Sequence, residues 1–331
     1  MTSRVLVTGA GGFIGHHLVA SLRSSGNWVR GVDVKFPEFA SSDANEFLIR
    51  DLRSLAACKE SVFGIDVVYH LAADMGGIGY ITSHHAEIAR NNTLIDLHML
   101  QAAADVRVSR FLYASSACVY PSYRQRDADV SPLREEDAYP ADPDEAYGWE
   151  KLYAERLCRH FHADFGLNTR IVRLHNVYGP LGTYEGGREK APAALCRKVA
   201  LALDGDEIEV WGDGEQTRSF LYVADCVDGL QRVMRSNYAQ PINLGTDRLV
   251  TINDLVDIVA RIAGKSLRKR HNLAGPQGVR GRNSDNRRLR EVLRWEPPTR
   301  LESGLVRTYE WINAQVESSR SLLALQESTA S

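Results

Sequence analysis

Tyr147 and Lys151 stand four residues apart in Pro143-Asp-Glu-Ala-Tyr-Gly-Trp-Glu-Lys-Leu-Tyr-Ala-Glu-Arg-Leu. On a helix, that spacing puts the phenol and the ammonium on one face, about one turn apart. A neighbouring cation favours the phenolate, so the pair predicts a tyrosine drawn toward working pH that can take a proton from a sugar or alcohol hydroxyl. The same spacing also suits a plain exposed pair, and its weight comes from what precedes it. Ser116 closes the run Arg110-Phe-Leu-Tyr-Ala-Ser-Ser-Ala-Cys-Val-Tyr-Pro, where its hydroxyl could bridge to an oxygen held by Tyr147. Cys118 follows two positions on, on the same side if the backbone stays extended; between Ala and Val it also reads as a core residue. Lys190 stands just before a predicted helix over 191–203, where the helix dipole disfavours a free ammonium; the plain alternative is a solvated lysine.

These groups need a frame. Arg4-Val-Leu-Val-Thr-Gly-Ala-Gly-Gly-Phe-Ile-Gly reads as a strand, a glycine turn and a helix start, with Gly9, Gly12 and Gly15 letting backbone N–H groups approach a pyrophosphate. The next strand, Trp28-Val-Arg-Gly-Val-Asp33, ends in an acid placed to accept from a ribose hydroxyl pair and to repel the extra phosphate of NADP. Arg30 and Lys35 lie close to it. Asp51 either meets an adenine amine or caps the helix that begins near Ser54. Asp66-Val-Val-Tyr-His-Leu-Ala-Ala is a buried strand running into the glycine loop Asp74-Met-Gly-Gly-Ile-Gly, and a helix follows over 83–104. His84, His85 and His98 have no metal-ligand spacing and read as surface or core-edge residues. Residues 122–143 read as a polar surface excursion, Thr169 to Pro180 as a strand and turn, and Glu207 to Phe220 as a hairpin with a Gly-Asp-Gly turn.

The alternation describes an α/β fold: a doubly wound parallel sheet of Rossmann type with a smaller C-terminal α/β substrate domain. Residues 1–177 form the cofactor domain, with a returning strand and helix near 218–260, and 178–331 form mainly the substrate domain.

Composition narrows the setting. A chain of 331 residues, 44% hydrophobic, can bury a large core, and its net charge of −2 argues against a nucleic-acid partner. No apolar run is long enough to span a membrane, the N-terminus enters a strand at once, and five cysteines without paired metal spacing read as free thiols in a reducing cytoplasm. Against the overall balance, Lys265 to Arg294 holds ten Lys and Arg with two acids, which predicts a site for an anionic ligand. There, Arg280 and Arg282 flank a glycine and are expected to close on phosphate oxygens. The last fifteen or so residues are expected to fray.

The glycine motif, Asp33, Ser116 and Tyr147-x-x-x-Lys151 resemble the extended short-chain dehydrogenase/reductase superfamily, over essentially the whole chain. Four further stretches, Leu71-Ala-Ala-Asp-Met-Gly-Gly-Ile-Gly, Ser115-Ser-Ala-Cys-Val-Tyr-Pro, Gly186-Gly-Arg-Glu-Lys-Ala-Pro-Ala-Ala and Gly278-Val-Arg-Gly-Arg-Asn-Ser-Asp-Asn, are similar to its GDP-mannose 3,5-epimerase branch. The resemblance implies an NAD-dependent isomerase acting on a GDP-sugar, GDP-D-mannose, and a homodimer. It implies NAD contacts from Gly9, Gly12, Phe13, Ile14, Gly15, Asp33, Asp51, Leu52, Leu71, Tyr147 and Lys151. It makes Tyr147 the base at the C4 hydroxyl, with Lys151 and Ser116 assisting, and Cys118 and Lys190 the acid/base pair at C3 and C5. Substrate contacts are implied for Gly76, Ser116, Asn176, Glu189, Lys190, Ala191, Lys198, Gln216, Arg218 and Arg282. No metal is expected. The alternatives are another nucleotide-sugar epimerase, acting at C4 or at one centre, and a non-catalytic NAD-sensing protein, which would be expected to lose the Tyr or the Lys. A 4,6-dehydratase fits less well, because Ala117-Cys118 stands where it carries an Asp-Glu pair.

Overall fold

A computed structural model describes residues 3–330, without the side chains of Ile78 and of 322–330. The expected fraying of the last residues falls largely on positions outside the described side chains. The first half runs β1 (Arg4–Thr8), α1 (Phe13–Ser24), β2 (Trp28–Asp33), β3 (Glu46–Ile49), α2 (Leu55–Val62), β4 (Val67–His70), the single turn α3 (Ile78–Ile81) and α4 (His85–Asp105). It continues with β5 (Arg110–Ser116), α5 (Glu145–Phe165), β6 (Thr169–Leu174) and β7 (Val177–Tyr178). The second half holds α6 (Ala191–Leu201), β8 (Glu207–Trp211), β9 (Thr217–Arg218), β10 (Leu221–Tyr222), α7 (Val223–Arg235) and β11 (Ile242–Leu244). Then come β12 (Val250–Thr251), α8 (Ile252–Ile262), β13 (Arg268–Asn272), β14 (Gly281–Arg282), α9 (Arg287–Leu293) and α10 (Leu301–Ala330).

Seven parallel strands make the central sheet, in the order β11-β6-β5-β4-β1-β2-β3. Helices cover both faces, so the strands read as apolar runs such as Val5-Leu6-Val7, all buried. The order reverses between β1 and β4, which opens a crevice at the carboxyl ends of these two strands. One apolar cluster joins α1, α7, α8 and α10 to one side of the sheet; another joins α2, α4 and α5 to the other. Local chemistry fixes the helix ends. Thr251 and Asp254 form a reciprocal cap on α8, and Gly166, with φ of 69°, closes α5 in the left-handed region.

Two expectations need correction. Glu207 to Phe220 is no hairpin: β8 pairs with β13 while β9 pairs with β12 and β14, because the turn through Gly212 and Gly214, both at positive φ, swings the chain into a different sheet. Residues 122–143 are not simply surface. Val130, Leu133 and Ala138 are buried; Gln125 accepts from the Arg280 amide, and the Glu135 carboxylate accepts from Asn243 N at 2.9 Å. The buried side chains of Gln125 and Glu135 bond to backbone groups, Gln125 Nε2 donating to the carbonyls of Tyr120 and Pro121, while Arg126, Asp127 and Asp129 stay exposed.

Candidate active site

α5 lies against the 3-10 turn Ala117–Val119 that follows β5. The approach needs Gly148, since a methyl group there would sit well inside contact distance of the Cys118 carbonyl oxygen. It brings Tyr147, Ser116 and Cys118 onto one cavity. Lys151 is wholly buried one turn behind, 5.8 Å from the Tyr147 ring centroid. Its ammonium donates to the Tyr113 hydroxyl at 3.0 Å and lies 3.6 Å from Asp96 and 3.7 Å from Glu150. Asp96 in turn accepts from Tyr113 at 2.8 Å and pairs with His70 at 3.0 Å, and His70 meets Thr8 at 2.8 Å. Residues of β1, β4, α4 and β5 thereby fix the lysine.

The expectation that Lys151 draws the Tyr147 pKa down is corrected in its net sign. Burial pushes the phenol up, and Lys151 and the Ser116 hydrogen bond oppose it without winning. Burial also works against the charge on Lys151, but Asp96 and Glu150 outweigh it and hold its pKa above the usual lysine range.

The cavity has a volume of about 490 Å³ and gathers every expected substrate contact: Gly76, Ser116, Asn176, Glu189, Lys190, Ala191, Lys198, Gln216, Arg218 and Arg282. Cys118 reaches it by a route other than the extended one expected. Ser116 Oγ accepts from Cys118 N at 3.1 Å and starts the 3-10 turn, which still leaves both side chains on the cavity. Lys190 is the N-cap of α6 and opens onto the same space. The cavity wall crowds the ammonium and pulls its pKa down although the residue stays exposed, and the nearby Cys118 opposes that.

Of the ten Lys and Arg in 265–294, Arg282 is the one that lines the cavity among the described residues, and several of the others are neutralised elsewhere. Lys265 caps α6 through the carbonyls of Val199 and Ala202, Lys269 pairs with Asp257, and Arg288 and Arg290 pair with Glu136 and Glu296. Arg280 does not join Arg282 on a phosphate, because it is locked bidentately on Asp213 at 2.7 and 2.9 Å. Instead, the pairing of β9 with β14 sets Arg218 beside Arg282. Arg218 donates to the carbonyls of Thr217 and Val279, Arg282 to Gln125 and, at 3.4 Å, to Cys118 Sγ. Burial and Arg282 hold the Arg218 pKa below the usual arginine range, yet a guanidinium stays charged near neutrality. Two adjacent cations, neither paired with a carboxylate among the described residues, suit a diphosphate.

A second feature fits a dinucleotide. Gly9 has φ of 70°, and a Cβ there would come within 2.9 Å of Ala72 N. A side chain at Gly11 or Gly15 would collide with the Lys35 or Gly9 carbonyl, so the turn leaves bare backbone under the start of α1. Gly12 caps α1 with no side chain over the open N–H groups, Phe13 packs near Gly182, and Ile14 is half-buried against the core. Asp33 accepts from Gly11 N at 2.9 Å and Val34 N at 2.7 Å, with burial raising its pKa. Arg30 is paired with Glu46 at 2.7 Å and held by the carbonyls of Ser61 and Phe63, so it is no free receptor for a 2′-phosphate, while Lys35 is exposed 3.5 Å from Glu38. The cradle suits NAD. Asp51 is not the helix cap: Ser54 is, and Asp51 pairs with Arg53 at 2.6 Å. Leu52 is buried, and Leu71 N donates to Thr8 Oγ1 at 3.1 Å beside the glycine turn.

The sequence reading missed Gly11, whose signal lay in the run of glycines, and Trp211, a half-exposed indole on the cavity wall beneath Lys198 at 5.8 Å. Glu145 and Asn176 also line the cavity, at φ of 59° and 23°, a region that costs a non-glycine residue energy. Among the described residues, no cluster of three His, Cys, Asp or Glu could hold a metal, and no helix is long and apolar enough to cross a membrane.

The model of the NAD dependent epimerase/dehydratase family matches residues 5–245. GDP-mannose 3,5-epimerase 1 of Oryza sativa subsp. japonica is 48% identical over 316 residues, covering 95% of this chain and 82% of the relative. GDP-mannose 3,5-epimerase of Arabidopsis thaliana is 46% identical, with 95% and 83% covered. Among solved structures, UDP-glucose 4-epimerase of Thermotoga maritima with UDP-glucose superposes with a TM-score of 0.82 at 27% identity, covering 95% of this chain and 99% of that one.

Proposed function

The chain belongs to the NAD dependent epimerase/dehydratase family, and on that premise we propose that it epimerises GDP-D-mannose at C3 and C5 to GDP-L-galactose, with GDP-L-gulose as the single-centre product. The observation that carries the reading is one cavity holding a Tyr–Ser pair and, separately, a thiol and an amine at its wall. A 4-epimerase needs only the first pair. A reaction that inverts carbons beside C4 needs the second.

A C–H next to an alcohol is too weak an acid for any side chain to deprotonate, but beside a ketone at C4 both neighbouring carbanions are stabilised as enolates. The glycine turn and Asp33 would hold NAD, which when bound would supply the hydride acceptor and donor for a transient ketone at C4. Tyr147 takes the C4 hydroxyl proton while Ser116 holds the same oxygen. Cys118 and Lys190 then move protons at C3 and C5, one group removing and the other returning. Arg218 and Arg282 bind the diphosphate, and Gln216, whose side-chain oxygen is buried without a partner among the described residues, and Lys198 hold the nucleoside end. We assign 1–177 with the returning α7 and β11 to the cofactor and 178–331 mainly to the sugar nucleotide.

Exposed Trp149 and Tyr153, one turn apart on α5 beside α4, support a homodimer through this helix pair. The five free thiols support a cytoplasmic setting. The test is incubation of the purified protein with GDP-mannose and no added NAD, followed by sugar analysis. Galactose and gulose are the expected products; unchanged mannose, a C4 epimer or a 4-keto-6-deoxy sugar overturns the reading.

A further inference from the structure

We infer that Glu150 is a positioning residue that sets how much of the Lys151 charge reaches Tyr147. The inference rests on the reading of Tyr147 as the base at C4. Neighbours in sequence on a helix point about 100° apart, so nothing in the sequence pairs Glu150 with Lys151, yet both side chains enter one buried pocket.

The two carboxylates beside Lys151 are not equivalent. Asp96 is matched on both oxygens, by His70 on one and by Tyr113 and Lys151 on the other. Burial pushes its pKa up, but Lys151 and these hydrogen bonds outweigh that, and it stays below the usual range. Glu150 has one oxygen held by Asn92 at 2.7 Å and 3.7 Å from Lys151, while its other oxygen is buried with no hydrogen-bond partner among the described residues. An orphaned carboxylate oxygen is costly, and a proton relieves it. Burial accordingly raises Glu150 to about 8, with Lys151 pulling the other way.

Below that pH, Lys151 has Asp96 as its one ionised neighbour and its charge is felt at Tyr147. Above it, a second negative charge faces the pair and disfavours the phenolate. The groups facing this pocket are Tyr147, Lys151 and the buried thiol of Cys158 from α5, Asn92 and Asp96 from α4, Tyr113 from β5, His70 from β4 through Asp96, and Cys118 on the Tyr147 side. Asn92 is itself fixed, accepting from Asp74 N at 2.6 Å and donating to Asp74 O at 3.1 Å, so Glu150 cannot swing away without breaking the loop after β4.

The experiment is the pH dependence of kcat/KM for GDP-mannose, holoenzyme against Glu150→Gln. The amide keeps the shape and cannot take the charge, so the rising limb is expected to move down by about one pH unit. Asn92→Ala, which removes a hydrogen bond favouring ionised Glu150, shifts it the same way by less. Tyrosinate absorbance titration of each protein against its Tyr147→Phe counterpart reads the same shift without turnover. Unmoved limbs and titrations in both variants overturn the inference. Absence of turnover in the wild type counts against the function, and the absorbance titration then still decides Glu150.

Discussion

Cys118 bears the most specific chemical demand at the residue scale. In the proposed mechanism this thiol, beside Arg282 and close enough to Lys190 to act on its charge, is the group that moves a proton at carbon. Cys118→Ala is expected to stop solvent-deuterium uptake at C3 and C5, lowering turnover by about 100-fold or more, while NAD binding and the unfolding transition stay as in the wild type. Uptake at the wild-type rate would remove Cys118 from the mechanism. What could be read from sequence at this scale was whatever is set by short spacing: the glycine turn, Asp33, and the Tyr–Lys register. The Arg218–Arg282 pair was legible only as two separate contacts. Their adjacency comes from strand pairing across a long stretch of chain, and the Gly-Asp-Gly turn that claims Arg280 for Asp213 is brought over by the same pairing.

At the scale of elements, the site depends on how closely α5 approaches the turn after β5. Gly148 sits at that contact, so Gly148→Ala is expected to destabilise the protein by about 1–3 kcal/mol in denaturant unfolding and to lower activity by separating Tyr147 from Ser116 and Cys118. Unchanged stability and activity would mean that the approach is looser than described. The parallel sheet was legible because doubly buried strands write continuous apolar runs. The segment 122–143 was not, because its polar residues look solvated until the buried backbone groups bound by the Gln125 and Glu135 side chains are known.

On the scale of the whole molecule, the reversal of strand order between β1 and β4 opens the glycine cradle and the substrate cavity at the carboxyl ends of the strands, and β11 returns to extend the sheet beyond β6. A hydride acceptor and two proton-moving groups then serve one sugar, and the account stands on the hydrogen at C4 being lifted and put back by the same protein. GDP-mannose carrying deuterium at C4, turned over in ordinary water, tests this most directly. Product sugars that keep the deuterium at C4 while C3 and C5 take hydrogen from solvent are the predicted result; deuterium lost from C4 into the water would contradict it.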